Sequence, residues 1–133
     1  MSGYVTNIER DTLENEDYRR VLFTGPNTQL VLMTLPAGCD IGEEVHPDRD
    51  QFFRFEQGSG VVKIDGVENR VEDDFAVIVP AGARHNVINT GSGPLRLYTI
   101  YAPPEHKDGI VQATKEEADA RHHAEEWDGR TTE

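Results

Sequence analysis

Gly38-Cys-Asp-Ile-Gly-Glu-Glu44-Val-His46-Pro-Asp-Arg-Asp-Gln51-Phe-Phe-Arg-Phe-Glu-Gln-Gly58 is the stretch that decides the architecture of this chain. Its polar residues are spaced like metal ligands. Glu44 and His46 are two apart, and in an extended strand that spacing sends both side chains to one face of a sheet. They can therefore grip one ion. Gln51 lies beyond a Pro-Asp-Arg-Asp turn and opens a second run with Phe53 and Phe55 at period two, so its side-chain carbonyl can reach back to the same point. A fourth ligand comes from far along the chain. Pro80-Ala-Gly82-Ala-Arg-His85-Asn-Val-Ile-Asn89 sets a histidine just after a Pro/Gly turn, at the start of another strand.

At these two segments the sequence resembles the cupins, a family of small β-barrel proteins. The family's first motif runs Gly, five residues, His-x-His, three or four residues, Glu, six residues, Gly. Gly38, Glu44, His46, Gln51 and Gly58 keep all of those spacings. Two identities differ: Glu44 stands in place of the first histidine, and Gln51 in place of the glutamate. The second motif, Gly, five residues, Pro-x-Gly, two residues, His, three residues, Asn, is met by Pro80, Gly82, His85 and Asn89, with Asp74 in place of its leading glycine. The resemblance implies an all-β fold, a double-stranded β-helix (cupin or jelly-roll barrel). It also implies one divalent metal ion (Zn, Mn, Fe or Ni) held by Glu44, His46, Gln51 and His85, and a homodimer.

One hundred and thirty-three residues make one domain, large enough to bury a barrel core and too short for a barrel plus a separate substrate domain. The formal charge of -12 argues against nucleic acid, which is bound through Lys and Arg on phosphates, and equally against an anionic membrane surface. A single cysteine, Cys39, excludes an internal disulfide and reads as a small half-buried residue. No apolar run approaches a signal-peptide core or a membrane span, so the expectation is a cytoplasmic protein acting on a small-molecule substrate.

The remaining segments predict an N-terminal arm over 1–19, the barrel over 20–104 and an extension over 105–133. The first sixteen residues show no clear periodicity and read as a weak strand or arm of the kind that cupins pair with a partner subunit. Strand-like runs follow at Tyr18 to Phe23, Gln29 to Leu35, Val61 to Ile64, Val67 to Val71, Phe75 to Val79, His85 to Asn89 and Leu95 to Tyr101, punctuated by Gly25-Pro26-Asn27, Asp65-Gly66 and Thr90 to Pro94. Past Pro103-Pro104, Thr114-Lys-Glu-Glu117 is a capping box and predicts a short helix over about 115–126.

Two imidazoles, one carboxylate and one amide oxygen suit a borderline divalent ion and exclude a soft all-thiolate metal. The summed ligand charge stays at minus one despite the two altered identities. A metal in this family can polarise a carbonyl, and the ligand inventory resembles in type that of the mannose-6-phosphate isomerase branch. There Glu44 and Gln51 would orient the substrate as catalytic residues. The same residues also contain a two-His, one-carboxylate triad of the kind that serves Fe(II) or Mn dioxygenases. A third reading is a barrel that binds a metabolite without catalysis. Arg49 and Arg84 flank the mouth as surface residues, and Arg54 alternates outward between phenylalanines. Tyr98 and Tyr101 fall on opposite faces by parity. Phe53, Phe55 and Phe75 read as core, His106 by default as an exposed loop histidine with folding over the mouth as the alternative, and His122 and His123 as a solvated tail.

Overall fold

The computed structural model describes residues 1–133 and runs α1 (Ile8–Glu14), β1 (Arg19–Thr24), β2 (Gln29–Leu35), β3 (Glu44–Val45), β4 (Asp50–Gln57), β5 (Gly60–Ile64), β6 (Val67–Val71), β7 (Ala76–Val79), β8 (Arg84–Asn89), β9 (Leu95–Ala102), β10 (Val111–Gln112) and α2 (Lys115–Ala120). The strands form two antiparallel sheets, one ordered β10-β1-β2-β9-β4-β7 and the other β3-β8-β5-β6. Together they make the double-stranded β-helix that the motif spacing implies. Alternation decides what each strand buries. Gln51, Phe53 and Phe55 of β4 point inward, and Arg54 points out to Glu56 and Asp74. Leu95, Leu97, Thr99 and Tyr101 do the same on β9, and the inward faces meet Val31, Met33 and Leu35 of β2 and Val62 and Val87 of the smaller sheet.

The motif glycines have backbone reasons. Gly58 sits at φ +102°, and a Cβ there would lie 2.6 Å from the Pro94 carbonyl oxygen. Asp74, which replaces the glycine leading the second motif, sits at φ +71°. A left-handed residue is needed there, and aspartate is among the few side chains that tolerate it. Its carboxylate also takes a hydrogen bond from Arg54 at 3.0 Å.

Three expectations are corrected, and the C-terminal extension adds a strand. The N-terminal arm is not a strand: Asn7 caps α1 by accepting from the Arg10 N–H, Glu9 and Asp11 sit in the first turn, and the helix packs on β2, β4 and β9 of its own chain. The C-terminal helix stops at Ala120 because its capping box secures only the first turn and its polar surface earns little burial beyond Ala118. Phe75 is 43% exposed, since it precedes the strand in the turn set by Asp74. The extension after Pro104 returns to the barrel, with β10 pairing antiparallel to β1.

Gly58→Ala should cost about 2 kcal/mol or more through backbone strain and the clash with Pro94. Asp74→Gly should leave the melting temperature unchanged or higher. Parallel thermal melts check both, and an undiminished Tm for Gly58→Ala would sink this account.

Candidate functional site

The antiparallel pairing of β3 with β8 sets Glu44 directly opposite His85. His46 follows β3 at once, and Gln51 faces it from β4 in the other sheet. One carboxylate oxygen of Glu44 and one ring nitrogen each of His46 and His85 lie within 4.8 Å of one another. Gln51 Oε1 stands 3.2 Å from His85 Nε2. The four residues singled out by spacing are thus brought together at one end of the barrel, with Gln51 and His85 buried and Glu44 and His46 half-buried.

The hydrogen-bond partners assign the protons. Thr99 Oγ1 gives its hydrogen to the Phe52 carbonyl at 2.8 Å, so it can only accept from Gln51 Nε2 at 3.0 Å. That turns Gln51 Oε1 toward His85. His85 Nδ1 lies 3.1 Å from the Ala83 carbonyl, which can only accept, so Nδ1 carries the hydrogen and Nε2 presents a lone pair. Two acceptors then face each other across 3.2 Å. A similar mismatch occurs at His46. Its Nε2 is 3.0 Å from Glu44 Oε2 but off the line of a hydrogen bond, and it is buried without a partner.

Charge reinforces the pattern. Burial works against the ionised form of Glu44, but His46, Arg19 and His85 outweigh it and hold the carboxyl below its usual range. At His46 burial is overridden by Glu44 and by Glu105, whose oxygen lies 3.3 Å from Nδ1, and the pKa rises. At His85 burial and the charge of His46 prevail over the Ala83 carbonyl and lower it. Burial also lifts Glu105 above the carboxylate range in spite of His46 and Arg49. His106 is driven well below the histidine range, first by burial and then by Arg19 and His46.

Around the cluster lies a polar cavity of about 230 Å³ walled by β1, β3, the loop after Pro104 and α2. His106 belongs to that wall, half-buried with its Nε2 3.2 Å from the Tyr101 hydroxyl, so it is not the exposed loop histidine of the default reading. Tyr101 points inward with its ring edge-on to His46, and Tyr98 faces outward against Phe52, as parity requires. Arg84 stays at the surface with Glu43. Arg49 is not a free mouth residue, because it donates to the Pro104 carbonyl and pairs with Glu105 at 3.1 Å. His122 and His123 are exposed beside Glu126, although His122 borders the cavity. Sequence reasoning missed Arg19 and Glu105. Arg19 carried a signal, a charged residue at the inward parity of β1 with Val21; Glu105 carried none, since a loop position after two prolines has no periodicity.

Fold and site together define a β-barrel of the cupin type with a candidate metal site. The cupin domain family matches residues 31–101, and the chain belongs to it. It is 50% identical over 121 residues to YrkC of Bacillus subtilis, covering 86% of this chain and 65% of YrkC. It is 39% identical over 116 residues to L612 of Acanthamoeba polyphaga mimivirus, covering 84% of this chain and 72% of L612. The crystal structure of BH2720 from Bacillus halodurans superposes with a TM-score of 0.87 at 47% identity, covering 88% of this chain and 93% of that one. No helix is long and apolar enough to cross a membrane.

Cupins commonly bind a metal, and the residues here fit one: an unpartnered buried Nε2 on His46 and opposed acceptors on Gln51 and His85 are what a cation between them would resolve. The proton assignment can be read directly. Nitrogen-resolved NMR at neutral pH should find His85 as the neutral Nδ1–H tautomer. Thr99→Val should lower stability by about 1–2 kcal/mol by orphaning the Gln51 amide. The opposite tautomer would overturn the assignment.

Proposed function

We propose that the chain holds one divalent metal ion through Glu44, His46, Gln51 and His85 and acts on a small polar metabolite, in the manner of the sugar-isomerase-like cupins. The convergence of Glu44, His46, Gln51 and His85, with two acceptors facing each other between Gln51 and His85, carries this reading. When bound, such an ion would supply Lewis acidity to a carbonyl or hydroxyl of the substrate. The chain's own residues do the rest. Glu105 steadies His46 from its far nitrogen while Arg49 steadies Glu105, and the Ala83 carbonyl holds the ring of His85. His106, linked to the buried Tyr101 hydroxyl behind it, closes one side of the cavity. Glu44 lines the cavity and, with Gln51 buried behind it, orients the substrate.

The compact Glu44, His46 and His85 triad favours an Fe(II) or Mn dioxygenase as the second reading, in which Gln51 is a weak ligand. Metal content and oxygen uptake separate the two. Tag-free protein analysed by mass spectrometry should carry about one equivalent of metal, lost in His46→Ala. Zinc or nickel favours isomerisation, whereas iron or manganese with substrate-dependent oxygen consumption favours the second reading. No uptake of any of the four ions would leave only a binding barrel. The homodimer belongs to the same proposal; light scattering at the 14.9 kDa mass of one chain would overturn it.

Affinity for the ion should fall as pH falls, because both imidazoles must be free of protons to bind it. His46, with its raised pKa, takes up its proton first, so weakening begins above the ordinary histidine value of about 6.5 and steepens once His85 follows. Metal titrations across about pH 5–8, which brackets the histidine value, check the direction.

A further inference from the structure

We propose that Arg19 binds a carboxylate of the substrate, which makes that substrate a small carboxylic acid; the inference rests on the metal site proposed above. Arg19 opens β1 with its side chain on the inward face and is only 7% exposed. Its side chain makes one hydrogen bond, from Nη1 to Gln112 Oε1 at 2.9 Å. Nε is sealed from water with no acceptor. Four other arginines of the barrel pair with carboxylates, Arg49 with Glu105, Arg54 with Glu56, Arg84 with Glu43 and Arg96 with Glu16, while Arg20 and Arg70, which pair with none, are exposed to water. Arg19 has none, in a chain with 25 acidic and 13 basic residues. Buried charges are normally paired, because an unpaired one forfeits its hydration without return. A guanidinium left unpaired amid such an excess of acids is reserved for an acid from outside.

Its position says where that acid goes. Arg19 borders the same cavity as Glu44 and His46, so a group held on it lies beside the proposed metal ligands. The Tyr18 ring, 5.3 Å from the guanidinium carbon, helps to fix the plane of the fork that matches a carboxylate. Charge selects a monoanion. Glu44, Glu105 and Asp119 share the wall with Arg19, so each further negative charge on a ligand meets these carboxylates and is matched only by Arg19 and by the ion that Glu44 would hold. At about 230 Å³ the cavity admits a molecule of a few carbons, well below drug size.

Calorimetric titration of the zinc-loaded wild type, Arg19→Gln and Arg19→Lys with lactate and with 1,2-propanediol tests this, with zinc content measured on every sample. Lactate should bind the wild type at least about tenfold tighter than the diol, and Arg19→Gln should lose about that factor at unchanged zinc content. Arg19→Lys, which keeps the charge without the fork, should fall between and serves if the glutamine variant does not fold. Equal lactate affinity in wild type and variant, no discrimination between acid and diol, or tighter binding of inorganic phosphate would overturn the inference. Lactate binding that needs Arg19 in a protein unable to retain zinc would overturn the metal reading alone. Zinc retained with lactate indifferent to Arg19 would overturn this inference alone.

Discussion

A β-ladder only two residues long, Glu44 opposite His85 and Val45 opposite Arg84, joins the first motif to the second across some forty residues of chain. Everything at the mouth of the barrel depends on that register. A slip of one residue would turn Glu44 away from His85 and put Val45 in its place, because side chains alternate between faces. Such a short ladder is held from outside itself. The His46 carbonyl accepts from the Gly82 N–H at 2.9 Å, and the Asp65 carboxylate accepts from the Arg84 N–H at 2.9 Å. On the other side Asn86 donates to Asp40 and also accepts from the Gly42 N–H, tying the approach to β3 onto β8.

The second sheet completes the arrangement through a polar relay that runs into the core. Phe52 carbonyl, Thr99 hydroxyl and Gln51 amide form a directed chain that ends with an acceptor aimed at His85. Buried groups of this kind are costly when unmatched, so the relay fixes one orientation of Gln51 where an exposed amide would sample two. His46 lies between carboxylates on both nitrogens, and Arg49 offsets the outer one. The site is therefore prepared for positive charge at its centre in a chain whose net charge is -12.

The C-terminal segment is more than an appendage. Lys115, at the start of α2, pairs with Asp40 at 3.0 Å, and β10 pairs with β1, so α2 is pinned over the cavity that Arg19 and His46 border. Gln29 holds the loop after Pro104 through the backbone of Glu105 and His106. These long-range bonds explain why Glu105 and His106 act at the site although nothing near them in sequence is periodic. The same is true of the N-terminal helix, whose Asn7 cap and first-turn Glu9 and Asp11 are local but whose burial on β2, β4 and β9 is not.

Strands β1, β2 and β4 to β9 were legible within a residue or two, because alternation and turn residues are local properties that report directly on which face is buried. The convergence of Glu44, His46, Gln51 and His85 was legible too, through spacings that only a paired sheet satisfies. Phe75 was misread because its hydrophobicity suggested core while the left-handed turn at Asp74 leaves it outside. By itself, the sequence determined the barrel and the identity of its candidate ligands, since period-two burial and the glycine, proline and histidine spacings are written along the chain. The tertiary structure alone decided which way Gln51 and His85 face, that Glu105 and His106 wall the cavity, and that Arg19 is buried without an acid. Those facts depend on which distant groups share a small enclosed volume, and no local pattern encodes that.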